Sequence, residues 1–212
     1  MTFAFLVLLT VFAEAKWFII QHGVYKELDT ITVVKINKCL TDGHGSTMFK
    51  LIDTKVNYVT YSDNECKTED ETKEDIKGII TEDIQPWLDK SAYYYEIYMD
   101  ECKSELTGYL IIPKDGCVRD VSSEYETAGK LLYLYAEYDS KKIKLWEIAQ
   151  EGYNTCPENI KDLQNAKKYE YNIGECFRVT DSTNYNKIQV NLTDGVEPLA
   201  LLVVFIVLTV MF

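Results

Sequence analysis

Residues 131–138 read LLYLYAEY, and after Asp139-Ser140-Lys141-Lys142 the chain resumes with IKLWEI at 143–148. Two runs rich in Leu, Ile, Tyr and Trp, partly alternating and separated by a short polar connector, form the pattern of an antiparallel hairpin rather than a helix. In an extended strand successive side chains point to opposite faces. Tyr133, Tyr135 and Glu137 therefore share one face, and Leu132, Leu134 and Ala136 the other. With the leucines turned to a core, the tyrosine row is expected to be exposed.

The pattern recurs in both directions from this hairpin. ITVVKI (31–36), TMFKLI (47–52), VNYVTY (56–61), YYYEIYM (93–99), GYLII (108–112) and KIQVNL (187–192) all alternate at least partly. The connectors Asp42-Gly43-His44-Gly45-Ser46 and Pro113-Lys114-Asp115-Gly116 carry turn-forming residues. The expectation is an all-β fold, an antiparallel sandwich or meander with one or two short helices, stapled by disulfides. One helix is expected within 72–88, where Ile76, Ile79, Ile80, Ile84 and Leu88 fall at helical spacing and Pro86 lies near the end. Residues 159–168 place Ile160, Leu163 and Ala166 similarly, although a polar loop fits this stretch equally. At least one of the consecutive Tyr93, Tyr94 and Tyr95 must face outward. With Tyr133 and Tyr135 they form the expected binding face.

Both ends carry address signals. MTFAFLVLLTVFAEA at 1–15 has an apolar run followed by Ala13-Glu14-Ala15, the form of a signal peptide with its cleavage site. The apolar end, LALLVVFIVLTVMF at 199–212, has no basic residue after it. Attachment signals for a glycosylphosphatidylinositol lipid end in a removable apolar tail of ~10 to 20 residues. A spanning helix needs ~20 apolar residues and usually a Lys/Arg flank. The expectation is a lipid anchor, with a retained span as the alternative, so that 16–192 is the ectodomain and 193–212 the attachment signal or anchor. The implied location is the extracellular face of the plasma membrane, with membrane contact only through this end.

The chain has 22 basic and 34 acidic residues, a net charge of -12. Such a surface repels phosphate backbones, and no basic stripe counters it, so nucleic acid is not an expected partner. Six cysteines are present, Cys39, Cys66, Cys102, Cys117, Cys156 and Cys176. An even set in an exported chain implies disulfides, and no zinc-ligand spacing occurs among them. Three aromatic strands run into a cysteine (NYVTYSDNEC, YYEIYMDEC, LWEIAQEGYNTC) and three cysteines open a strand (KCLTD, GCVRD, ECFRVTD). Pairing sequence neighbours of opposite type gives Cys39–Cys66, Cys102–Cys117 and Cys156–Cys176. This is one of several connectivities that six cysteines allow. Asn191-Leu192-Thr193 is a glycosylation sequon.

Tyrosine-rich strands ending in YSDNEC and YMDEC, inside an acidic chain with both export signals, resemble small lineage-specific surface proteins of parasitic amoebae. The resemblance implies an exported surface protein and transfers no functional residue.

Catalytic constellations are not apparent. The two histidines are His22 and His44, and Asp42, His44 and Ser46 crowd one turn that cannot aim them at each other as a triad requires. The acidic run Glu65, Glu69, Asp70, Glu71, Glu74, Asp75 lacks the spacing and central Gly of a calcium loop and reads as a solvated connector. No cofactor is expected. The reading is a non-enzymatic surface interaction or coat protein that binds a protein or glycan through tyrosine-bearing faces or loops. The alternative is a secreted hydrolase with paired carboxylates.

Overall fold

The computed structural model describes residues 16–20, 29–41, 45–113, 116–120, 130–151, 159–178 and 184–191. Residues 1–15, read above as a signal peptide, residues 193–212, His22, His44 and Cys156 lie outside them.

The hairpin that opened the sequence reading forms as expected. β11 (Lys130–Tyr138) pairs antiparallel with β12 (Lys142–Glu151), with Tyr138 opposite Ile143. The Asp139 carboxylate accepts from the backbone N–H groups of Lys141 and Lys142, at 2.6 and 2.8 Å, which locks the turn. With β10 (Cys117–Asp120) and β13 (Lys167–Asn172) these strands make a four-stranded sheet in the order β10-β11-β12-β13.

A seven-stranded antiparallel sheet holds β1 (Trp17–Ile20), β2 (Ile31–Lys35), β7 (Gly78–Thr81), β8 (Tyr93–Tyr98), β9 (Leu106–Ile112), β14 (Cys176–Arg178) and β15 (Tyr185–Val190). Its order is β14-β15-β8-β9-β2-β1-β7. A third sheet runs in sequence order through β3 (Leu40–Thr41), β4 (Ser46–Ile52), β5 (Lys55–Tyr61) and β6 (Glu69–Lys73).

Both four-stranded sheets cover the same face of the seven-stranded one. The register sets Phe18, Val34 and Gly108 in one row across β1, β2 and β9, and puts Tyr95, Leu110 and Ile188 on that same inner face. At one end Tyr93, Tyr95, Ile112 and Ile188 pack on Val118, Leu134, Ala136, Ile143 and Leu145 of the β10–β13 sheet. At the other, Phe18, Val34 and Ile36 pack on Phe49 and Val56 of the third sheet. Tyr93, Ile112, Ile143 and Ile188 are almost wholly removed from water. Burial of each such side chain contributes roughly 1.5–3 kcal/mol. The Tyr171 ring stacks on Phe177 at 4.1 Å and closes one margin of the sandwich.

A buried ion pair joins two of the sheets. Arg119 on β10 donates through Nε and Nη2 to both carboxylate oxygens of Asp29, at 2.8 and 2.9 Å, and the two side chains are 8% and 5% exposed. The backbone N–H of Thr30, at the entry to β2, donates to the Arg119 carbonyl at 2.9 Å.

Three expectations are corrected. Residues 72–88 are not one helix: Glu69–Lys73 and Gly78–Thr81 are strands, and helix α1 is the single turn Gln85–Leu88. Gly78 and the β-branched pair Ile79-Ile80 instead pair with Ile20, Ile19 and Phe18 of β1, because sheet pairing outweighs a periodicity carried by β-branched side chains. Of the two readings of 159–168 the loop is the nearer: the 3-10 turn Ile160–Asp162 leads into β13, which opens at Lys167. Of the bridges, Cys39–Cys66 forms as read, but Cys102 pairs with Cys176. Strand β15 lies between β8 and β14, which brings the β8–β9 turn beside β14, whereas Cys117 lies in another sheet and is itself disulfide-bonded. Finally, Tyr93, Tyr95 and Tyr133 do not form an exposed face, being 1%, 9% and 1% accessible.

Candidate binding face

The five tyrosines singled out from the sequence separate onto different surfaces. Tyr93 and Tyr95 point between the sheets. Tyr133 is on the outer face of the β10–β13 sheet, beneath Ile160, with Trp146 and Ile148. Both faces of β11 are thus covered, so alternation alone could not tell which row meets water. Tyr135 is half-buried against Trp146, under the ammonium of Lys161. Tyr94 is half-buried on the second face of the seven-stranded sheet.

That second face is the notable surface. Helix α1 covers part of it, setting Ile84 and Leu88 over Ile19, Val33 and Ile111. Beyond the helix an aromatic group continues across four strands. Tyr109 on β9 is 8% exposed and forms the floor. The Trp17 ring from β1 lies 5.3 Å from it, tilted, and the Tyr94 ring from β8 5.9 Å, edge-to-face. Trp87 of α1 borders the same cluster. Trp17, Trp87, Tyr94 and Tyr98 are each partly accessible, so aromatic rings meet solvent here, together with the partly buried Ile31 and Leu106.

Charged groups are set among these rings. Glu96 lies beside Tyr109 and Lys187 in one row of the sheet. Its carboxylate accepts a hydrogen bond from the Tyr98 hydroxyl at 2.9 Å and lies 4.0 Å from Lys187 Nζ. The Lys187 ammonium is 5.8 Å from the Tyr98 ring centre, and that of Lys35 is 5.8 Å from the Trp17 ring centre. Lys35 also pairs with Glu105 in the β8–β9 turn, which Lys38 reaches at 2.8 Å. The Cys102–Cys176 bridge ties this turn to β14.

The hydroxyls respond to this setting. Burial, and then the Glu96 carboxylate, push Tyr109 up to about 12. Tyr98 is raised further, first by burial and then by its bond to Glu96. Tyr94 is raised too, mainly by burial. All three stay neutral donors at any physiological pH. Lys35 and Lys38 hold the Glu105 carboxyl down at about 2.

Two further polar features are structural. A shallow depression lined by Glu137, Tyr138, Asp139, Lys142, Lys144 and Glu170 contains its own ion pair, Lys142–Glu170 at 2.6 Å. Asp63 accepts from the N–H groups of Glu65, Lys67 and Thr68, which holds the loop before the Cys39–Cys66 bridge and lowers its carboxyl to about 2. Among the described residues no group of acidic, His or Cys side chains is placed to hold a metal ion.

The sequon residue Asn191 is engaged in the fold. Its amide nitrogen donates to the Leu88 and Asp89 carbonyls at 3.1 and 2.7 Å, capping the end of α1. A glycan on that nitrogen leaves one N–H, so only one of the two bonds could persist.

No protein-family model, no curated protein and no solved structure matches this chain.

Proposed function

We propose that the chain is an exported, surface-held binding protein whose ligand is a glycan, taken up on the open face of the seven-stranded sheet. The observation that carries this is the cluster of Trp17, Tyr94, Tyr98 and Trp87 around Tyr109, with Glu96 and Lys187 set among the rings. Sugar rings offer apolar C–H faces and peripheral hydroxyls. Aromatic side chains meet the first need with a flat apolar ring and a polar tip. A carboxylate and an ammonium serve the second, the carboxylate accepting from hydroxyls and the ammonium donating to them.

The outer parts of the chain fit this reading. A leader at 1–15, an apolar C-terminal end and an even set of cysteines suit export and tethering. Cys39, Cys66, Cys102, Cys117 and Cys176 are all disulfide-bonded. No catalytic role is proposed for the carboxylates, since Glu96 and Glu105 each face an ammonium.

The test is a glycan array probed with the secreted ectodomain and with its Trp17→Ala and Tyr98→Ala variants. The proposal expects a restricted set of bound glycans, lost in both variants while their circular dichroism is retained. Binding unaffected by either change would refute the assignment of this face. A protein ligand captured through the same two residues would move the reading from glycan to protein recognition.

A further inference from the structure

The open face of the seven-stranded sheet is bounded on one side by helix α1, which lies over Ile19, Val33 and Ile111. The end of this helix is fastened to β15, since the Asn191 amide donates to the Leu88 and Asp89 carbonyls. The other side is the β8–β9 turn. Glu105 of that turn accepts from Lys35 and Lys38, and the Asp100 carboxylate accepts from the N–H groups of Lys103 and Ser104, which fixes the shape of the turn.

The same turn closes one end of the face. Phe177 points between the sheets, so its neighbour Cys176 points to the open face, in register with Lys187. The bridge from Cys176 to Cys102 therefore draws the turn across β15 on that side. Cys102 Sγ lies 3.8 Å from the Asn186 carbonyl oxygen, and the Lys103 ammonium is in electrostatic contact with Tyr185, the neighbour of Tyr98 on β15. The Trp17 end differs. Its flanking pair, Lys16 and Glu82, has side chains 46% and 54% accessible.

Polar groups gather at the closed end. There Glu96 accepts from the Tyr98 hydroxyl and faces Lys187, and these two charged side chains keep 18% and 26% of their surface in water. Trp17 instead offers a ring with only the Lys35 ammonium beside it. The order β1-β2-β9-β8 separates Trp17 from Tyr98 by three strand spacings, about 14 Å in all, which is longer than one pyranose ring.

We infer that this face takes the free, non-reducing end of a glycan chain, with the terminal sugar at Tyr109, Glu96, Lys187 and Tyr98 and the rest of the chain leaving across Trp17. The inference rests on the glycan reading given above. A terminal sugar keeps hydroxyls that an internal one has lost to glycosidic bonds, so it makes fuller use of a carboxylate acceptor and an ammonium donor. A further sugar beyond it would run into the tethered turn. A glycan held on protein or lipid is attached through its reducing end, so the end it offers is the non-reducing one.

The test prints each glycan that the protein binds beside two derivatives, one lengthened by a single sugar at the non-reducing end and one at the reducing end. The disulfide-bonded protein from a secretory host is the probe. Lengthening the non-reducing end is expected to weaken binding at least tenfold, and lengthening the reducing end to leave it equal or stronger. Equal responses to the two changes, or the reverse order, overturn the inference while glycan binding itself stands. Retention of no glycan by the unaltered protein refutes the glycan reading, and this inference with it. Cys102→Ser with Cys176→Ser unties the turn and should raise binding of the non-reducing derivatives several-fold relative to their parents. A double variant with unchanged circular dichroism that rejects them as before overturns the turn as the stop. Should that variant fail to fold, the comparison on the unaltered protein decides alone.

Discussion

Replacing Arg119 by Leu removes the cation from a carboxylate that is 5% exposed. Both Asp29 oxygens then lose their charged donors at once. Breaking a buried pair from one side costs about 3–5 kcal/mol, because the remaining charge stays desolvated and uncompensated. Asp29→Leu should also destabilise, by taking from the buried guanidinium the carboxylate that faces it. Replacing both residues by apolar side chains of similar volume is expected to recover most of the loss, since neither charge is then stranded. The double variant should therefore lie well above the sum of the singles, with a coupling of about 2 kcal/mol or more across the cycle. Urea unfolding of the disulfide-bonded protein, followed by tryptophan emission, measures all four proteins. A loss under about 1 kcal/mol for Arg119→Leu, or strict additivity in the double variant, would refute the ion pair as the joint between sheets.

Peptide mapping of the secreted protein should return Cys39–Cys66 and Cys102–Cys176, and by elimination Cys117–Cys156. Any Cys102–Cys117 peptide contradicts the fold. Carbon-13 titration should find Glu105 releasing its proton near about 2. The folded value lies below the unfolded one, so the stability this carboxylate adds is present above about 4.3 and fades as pH falls toward 2; a titration midpoint above 4 would contradict its pairing with Lys35. Tyr109 acts in the opposite direction: its folded value of about 12 exceeds the unfolded value. Its contribution is full below about pH 10 and is lost as pH rises toward 12, and Glu96→Gln should move its ultraviolet titration downward. Asn191→Ala should cost about 0.5–1.5 kcal/mol by removing its hydrogen bonds to the Leu88 and Asp89 carbonyls, the first of which keeps Ser91 as a donor, whereas Thr193→Ala, which only destroys the sequon, should not destabilise. Equal effects of these two changes would contradict the capping role.

Eight strands were legible in the sequence because they bury at least one face, which imposes alternation on Val, Ile, Leu and Tyr. The strands that were not legible have other causes: β1, buried on both faces, carries the run WFII with no alternation to register. β6 is EDETK and wholly exposed, β13 is KKYEYN, and β3 and β14 are too short for a period to register. At 72–88 the isoleucines fit a helical period, yet Gly78 lies where a Cβ would meet the Ile19 carbonyl and the Phe18 ring at 2.4 Å. That close approach depends on a strand more than fifty residues distant, so no local pattern discloses it.

The binding face was half legible. Tyr94 was named, but Trp17, Tyr98, Tyr109 and Glu96 come together only through the order β1-β2-β9-β8, which sequence spacing does not specify. Tyr133 was placed on the wrong side of the balance because the 3-10 turn at Ile160 covers it. Neighbour-wise pairing held for Cys39–Cys66 and failed at Cys102 for a related reason, since β15 returns beside β8 and carries β14, with Cys176, next to it.

The proposed glycan binding is tested most directly by the tryptophan emission of the protein during titration with the glycan that binds most strongly on the array. Trp17 and Trp87 border the open face, whereas Trp146 lies on the far side of another sheet, beneath Lys168. The account predicts a saturable change that survives Trp146→Phe and is abolished by Trp17→Phe with Trp87→Phe. A change that follows Trp146 instead would contradict it.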